Sequence, residues 1–539
     1  MNFDYYDLML RLKYLHTFAF LTLLSMGSHA ADTTEADATA VVDIPQSTLS
    51  VDTFYELLVG EIAAREMASH TQGANLLLRA AHKIRSEAVY ERAFEVALRT
   101  RSSPKVLEVI NAWVKAFPSS ASANRYQLQV LLGLNRIAEI QQVLKRQLLA
   151  TPIAERKEFI RQIPSHFALV KDKKLAVTMV EKAFQSELSN RTIGPHLWVA
   201  VGLLRMAAEN TEGALDAYRK AVSLDANSKE ATLFAIYLLE KNIPATEPMI
   251  RAYFQRPKKT KDADEPELHL VYINALWKIK HLSDAYAQTL VLLQQNPQYA
   301  DGWLMRAALD MEESRYENAE PSFKAYLQLL QAAPEKEQKK ERRGMMEAYA
   351  ALAKITQHRQ LGALGEAQIQ QYLTQARELI PNDLDDLYEL AMKSEKLSQF
   401  DAMEAILRQI IRLDASYYNA YNALGYSFAE RNIRLPEARS LIREALNLKP
   451  DDPFIIDSLA WVEFRSGNPD EALRLLQSAF EAGKDAEIAA HLGEVLWSKG
   501  QIPQANAVWE QGLKINPSNT TLLETLKRLQ PNQPNQPKP

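Results

Sequence analysis

The sequence predicts an all-α protein, a superhelical solenoid of antiparallel helix pairs, and three observations predict it. Good helix formers dominate, and a chain of 539 residues holds only 17 glycines. That length is several times one compact core, so the chain must divide into domains or repeats. Small and large residues also recur together about every 34 positions, a period that fits stacked helical hairpins.

The pattern is clearest near the C-terminus. Leu459-Ala460 precedes Gly467, Ala472, Leu476 and Ala479, while Leu492-Gly493 precedes Gly500, Ala505, Trp509, Gly512 and Pro517. Gly467 to Gly500 and Ala472 to Ala505 are each 33 residues. One unit earlier, Leu424-Gly425 precedes Ala438, Ile442, Ala445 and Pro450. Small residues let the two helices of a unit approach, and the large residue four places on fills the space beside them. Gly467 and Gly500 permit the turn between helices, and Pro450 and Pro517 end the second helix or open the next. These positions resemble the tetratricopeptide motif, W-x2-L-G-x2-Y…A-x3-F…P.

Upstream the match loosens. Trp198, Gly202, Ala214, Tyr218 and Ala221 make one good unit, and Trp303, Ala307, Ala319, Phe323 and Tyr326 another. Before about residue 190 the helices stay amphipathic but match only in fragments. The expected organisation is an export signal (1–30), a disordered leader (31–50) and divergent helical hairpins (51–190). Repeat units follow (191–256), then a charged linker (257–267), further units (268–333), a C-terminal array (334–529) and a Pro/Asn/Gln tail (530–539). The run from Glu335 to Arg343 reads as a solvated helix start with i,i+4 ion pairs.

Export is read from Arg11 and Lys13, the apolar run Phe18 to Leu24, and Ser28-His29-Ala30 as a cleavage triplet cut after Ala30. No stretch of the mature chain is long and apolar enough to span a membrane. Net charge is −4, with no basic stripe, so nucleic acid is not an expected partner. Cysteine is absent, which excludes disulfides, thiolate metal sites and a cysteine nucleophile.

Neither catalysis nor a cofactor is expected. The mature chain's histidines form no H-E-x-x-H, and there is no Walker A loop, dinucleotide fingerprint or G-x-S-x-G elbow. His491-Leu492-Gly493-Glu494 reads as ordinary first-helix sequence and not as a metal site. Asp385-Asp386 and Asp451-Asp452 read as carboxylates at positive helix ends.

What remains is surface. If the first helix of each unit lines a concave groove, the exposed register positions there are Tyr388 and Met392, Asn419, Asn422 and Tyr426. They continue through Phe454, Asp457, Trp461 and Phe464 to Glu487, Glu494 and Trp497. Aromatic and Met side chains in such a groove suit apolar segments of a partner, with Tyr426 and Trp461 foremost. A lysine and asparagine clamp for an acidic chain terminus is not supported, since the corresponding positions hold Asn422 and Tyr426, or Asp457 and Trp461.

Asp452-Pro453-Phe454-Ile455-Ile456-Asp457-Ser458-Leu459-Ala460-Trp461, Ala489 to Trp497, and Val508-Trp509-Glu510-Gln511 carry a narrower resemblance. With the opening Phe54 to Ala63, they resemble tetratricopeptide proteins of Gram-negative envelopes that partner carboxyl-terminal processing proteases. The resemblance implies a non-catalytic periplasmic adaptor that binds such a protease and brings it substrates such as cell-wall hydrolases. Proteins of that kind often carry a lipid on a cysteine after the signal, and this chain has none, which puts outer-membrane tethering in doubt. The alternative is an assembly scaffold for envelope polysaccharide export or outer-membrane machinery; a neighbouring protease gene would favour the first, a synthase or porin gene the second.

Overall fold

The structure, a computed structural model, describes residues 49–255 and 265–530. The expected signal, nearly all of the leader, most of the charged linker and the tail beyond residue 530 lie outside the described residues. Within them every regular element is helical, in two compact units that divide between Pro297 and Gln298. The fold class expected from the periodicity is the one found: all-α, built of paired antiparallel helices.

The N-terminal unit opens with α1 (Val51–Ala63), α2 (His70–Ile84), α3 (Glu87–Arg99), α4 (Ser103–Ala116) and α5 (Ala121–Gly133). It continues through α6 (Ile140–Ala150), α7 (Arg156–His166), α8 (Lys173–Ala183), α9 (Gly194–Ala207) and α10 (Thr211–Leu224). It ends with α11 (Lys229–Glu240), α12 (Glu247–Gln255), α13 (Pro266–Lys278) and α14 (Leu282–Gln295). Its core holds aromatic clusters such as Trp113, wholly buried with ring centroids 6.1 Å from Phe94 and 5.9 Å from Tyr126.

The C-terminal unit opens with α15 (Ala300–Glu312), α16 (Tyr316–Gln331), α17 (Glu335–Lys340), α18 (Arg342–His358) and α19 (Gly362–Leu379). Next come α20 (Leu384–Lys396), α21 (Phe400–Leu413), α22 (Tyr418–Glu430), α23 (Leu435–Leu448) and α24 (Pro453–Arg465). It closes with α25 (Pro469–Ala482), α26 (Ala486–Ser498), α27 (Ile502–Ile515) and α28 (Thr520–Leu529). The Glu335 to Arg343 run is the short α17 and the start of α18, with Lys339 on Glu335 at 2.5 Å one turn apart.

The two helices of a hairpin bury different amounts of surface for a simple reason. A second helix such as α21 contributes one stripe, Met403, Ile406, Leu407 and Ile410, and leaves its other face in solvent. A first helix lies between its own partner and its neighbours, so α24 buries Ile455 and everything from Asp457 to Glu463. In α26 the buried run is Ile488 to Leu496. Close approach within a hairpin demands the small residue: a Cβ on Gly425 would lie 2.5 Å from Ile442 Cγ1 and 2.9 Å from the Ala438 carbonyl.

Turns inside hairpins share one geometry. The chain enters the left-handed region at Gly467 (φ 84°) and Gly500 (φ 73°). Their flanking hydrogen bonds run Asn468 N to Glu463 O and Gln501 N to Leu496 O, both 2.9 Å, closing the helix end with a Schellman motif. First helices then restart on side-chain caps, Asp383 for α20, Asp452 for α24 and Asp485 for α26. Of the paired acids, Asp452 is thus a cap and Asp385 and Asp386 lie within the first turn of α20.

Candidate functional site

In the C-terminal unit α22 packs on α24 and α24 on α26, so their side chains share one face. Tyr426 on α22 reaches His491 on α26 across α24, its hydroxyl 3.4 Å from Nε2.

The structure sorts the sequence-derived groove residues into three groups. Tyr426, Asp457 and Trp461 converge on His491. The Asp457 carboxylate accepts from His491 Nδ1 (2.9 Å to Oδ2, 3.0 Å to Oδ1), and both side chains are buried. The Trp461 indole stacks on the imidazole, centroids 4.3 Å apart at 22°, and Trp461 Nε1 donates to Glu430 Oε2 at 2.7 Å. Phe464 leans on Trp461 with centroids 5.4 Å apart.

A second group packs within or between neighbouring hairpins. Tyr388 lies 5.8 Å from Tyr417, ring to ring, and Met392 packs on the same core. Trp497 lies 5.6 Å from Trp509 of α27, and buried Glu494 is held by Arg528 at 2.5 Å. The third group faces solvent. Phe454 is 55% exposed, Asn419 is exposed, and half-buried Asn422 presents a buried Oδ1 with no hydrogen-bond partner among the described residues. Trp461 itself is only 4% exposed, so it acts on the face through the residues it holds.

His491, Glu430 and Glu395 are members of this site that the sequence reading passed over. His491 looked like ordinary first-helix sequence, yet it is the hub of the face. A usable signal was present: Asp457 and His491 fall one repeat apart, at adjacent register positions of successive first helices.

The electrostatics follow from crowding acids on one partly dry surface. Burial alone would lower the His491 pKa, but Asp457, then Glu487 and Glu430, more than offset it and hold the imidazole above its usual value. Burial raises Glu487, with Asp457 and Asp485 adding to the rise and His491 opposing it. Burial likewise raises Glu395, opposed by Arg431 and reinforced by Glu430 and Glu487. The Tyr426 hydroxyl is raised by burial and then by Glu487, Glu430, Asp457 and Glu395.

One group in the N-terminal unit has ligand-like spacing: Glu247, His281 and Asp284 bring their donor atoms within 4.8 Å of one another. Arg251 occupies the cation position there, at 2.6 Å from Glu247 and 2.7 Å from Asp284. The set is accounted for as a guanidinium bridging two carboxylates.

Helical hairpins whose successive first helices present one side-chain-lined face make up this region. Residues 458–520 match the tetratricopeptide repeat family model. A TPR repeat-containing protein of Pseudomonas aeruginosa is 45% identical over 114 residues, 21% of this chain and 19% of that protein. The human protein O-mannosyl-transferase TMTC1 is 26% identical over 167 residues, 30% of this chain and 18% of its own length. The chain thus spans about a fifth of the curated relatives it matches. Among solved structures, a thermophilic TPR protein of Thermus thermophilus is 22% identical, with TM-score 0.28, covering 34% of this chain and 98% of that one. Residues 458–520 of this all-α chain are thus similar to tetratricopeptide repeats, and paired helices continue on either side of them.

Proposed function

We propose that this chain is an exported adaptor. It binds a periplasmic carboxyl-terminal processing protease and brings it substrates, such as cell-wall hydrolases, in envelope turnover. The observation that carries the reading is the stretch from Asp452 to Gln511, whose residues resemble envelope adaptors of that protease class. Supporting it is the export-signal pattern ending at Ala30 and the absence, among described residues, of any helix long and apolar enough to cross a membrane. The partner-binding surface is the face of α20, α22, α24 and α26, with Tyr388, Asn419, Asn422, Tyr426 and Phe454 as its accessible part. Asp457, Trp461 and Phe464 shape that part from below, and Trp497 fixes the last hairpin. Reconstitution tests it: purified chain added to the protease and a wall hydrolase from the same cells should accelerate hydrolase cleavage. Unchanged cleavage, with no protease bound in a pull-down, sinks the adaptor role.

A further inference from the structure

We propose that the outward face of α1 pairs with the same face of a second copy of this chain, the two helices antiparallel about a two-fold axis. The inference concerns the N-terminal unit and holds whichever partner the C-terminal face binds.

Exposure picks out the surface. α1 rests on α2 through Thr53, Glu56, Gly60 and Ala63. Its other side carries Val51, Phe54, Tyr55, Leu58 and Ile62, each between 49% and 84% exposed, with Met67 just beyond the helix. An end helix of a repeat array is ordinarily polar on the side turned from the stack. α1, the first described helix, is apolar there.

Area says what size of occupant the face needs. At about 150–200 Å² for each large apolar side chain, the exposed parts of these six add up to roughly 600 Å², the top of what a monomer ordinarily shows. Two such patches face to face bury about 1,200 Å², the lower bound for a stable protein–protein interface. The occupant must therefore bring an apolar patch of equal extent, and a second copy of the chain does so by symmetry.

Spacing gives its form. Val51, Tyr55, Leu58 and Ile62 alternate steps of four and three, the spacing of a helix that packs along another helix. In the antiparallel register Val51 falls opposite Ile62 of the second copy, and Tyr55 opposite Leu58 of the second copy. The two-fold axis repeats both contacts, so every member of the stripe is covered. Antiparallel packing also opposes the two helix dipoles, whereas parallel packing would set Asp52 beside its own copy. The other acids of α1 are answered within one chain. Glu56 pairs with Arg79 and Lys83 of α2, at 3.2 and 2.9 Å, and Glu61 with Arg92 of α3 at 2.8 Å.

Sedimentation of the purified full chain tests the pairing. It should run at twice the mass of one copy above about 10 μM, since interfaces of this size hold at micromolar concentrations. Leu58→Glu places a charge in the middle of the contact and should weaken association by about a hundredfold or more. Its helical circular dichroism should stay the same, because Leu58 is half exposed in a single copy. The chain has no cysteine, so introduced thiols report orientation. Val51→Cys and Ile62→Cys chains, mixed and oxidised, should link to each other and far less to themselves. A native chain that stays monomeric overturns the inference and leaves the adaptor reading standing. Dimers that persist in Leu58→Glu put the contact elsewhere and overturn it too, as does a pattern in which each thiol variant links only to itself. Should Leu58→Glu lose its helix signal, the thiol pattern alone decides.

Discussion

At the scale of single residues, the Asp457–His491 pair decides more than any aromatic side chain on the face. Two groups of opposite charge, buried together, are tolerated because each satisfies the other, and removing one leaves its partner uncompensated. His491→Ala should therefore destabilise the C-terminal unit by about 3 kcal/mol in urea unfolding at neutral pH. Phe454→Ala, at a residue 55% exposed, should change stability by no more than about 0.5 kcal/mol. Trp461 behaves as core: stacked on His491 and 4% exposed, its replacement by Ala should cost about 3 kcal/mol as well as disturb the face. A binding loss in Trp461→Ala thus has to be read against a melting curve.

The same residues set a pH dependence whose sign can be worked out. A histidine with a raised folded-state pKa stabilises the fold fully below its unfolded value, near 6.5, and loses that contribution as pH climbs through the raised value. Raised carboxylates act in the same direction: Glu395 and Glu487 bind protons more tightly when folded, so their ionisation above about pH 4.3 weakens the fold. Opposing them, Glu404 and Glu463 are held below the usual carboxylate range with Arg434 and Arg439 beside them, and lose their contribution only in stronger acid. Stability of the C-terminal unit should then peak at mildly acidic pH and decline toward pH 8, followed by circular dichroism melts. A melting temperature that climbs steadily from pH 6 to pH 8 would contradict this assignment.

At the scale of elements, the turn within each hairpin explains both what the sequence revealed and what it hid. Gly467 and Gly500 announce a left-handed residue, and the structure puts them there. Ser314, Gln360, Ser398 and Asn432 occupy the same kind of position with φ between 50° and 57°, and only the asparagine hints at it. Ser398→Gly should relieve strain and raise stability by about 0.5 kcal/mol, whereas Gly500→Ala should lower it by about 1 kcal/mol, both read from urea midpoints. Gly425→Leu should overpack α22 against Ile442 and Ala438 and cost about 3 kcal/mol or more. Helices were legible because the spacing of Ala438, Ile442 and Ala445, or of Ala472, Leu476 and Ala479, follows directly from one packed stripe. The site was less legible. Register placed Tyr426, Asp457 and Trp461 on one face, but pairwise contacts between residues such as Tyr426 and His491, 65 positions apart, depend on how successive hairpins tilt. No local propensity encodes that tilt.

At the scale of the whole molecule, each compact unit carries its own core, and this bears on where function resides. In the C-terminal unit one large cluster runs from Leu304 to Val462 and a second from Ala460 to Leu526. In the N-terminal unit, clusters span Ala64 to Ala123 and Leu128 to Ala217. In repeat arrays stability is close to a sum of unit and nearest-neighbour terms, so a block that keeps its neighbours keeps most of its stability. Residues 298–539 expressed alone should therefore give a helical circular dichroism spectrum and a cooperative melt. All members of the acidic face, from Glu395 to His491, lie inside that block. The fragment should consequently retain the pH-dependent stability argued above, with the maximum in mildly acidic solution and a shallower fall above about pH 6.5 in His491→Ala. If the fragment folds but its stability is flat between pH 5 and pH 8, the raised pKa assigned to His491 is wrong. If it does not fold, the C-terminal block is not stable by itself and the argument from its own clusters fails.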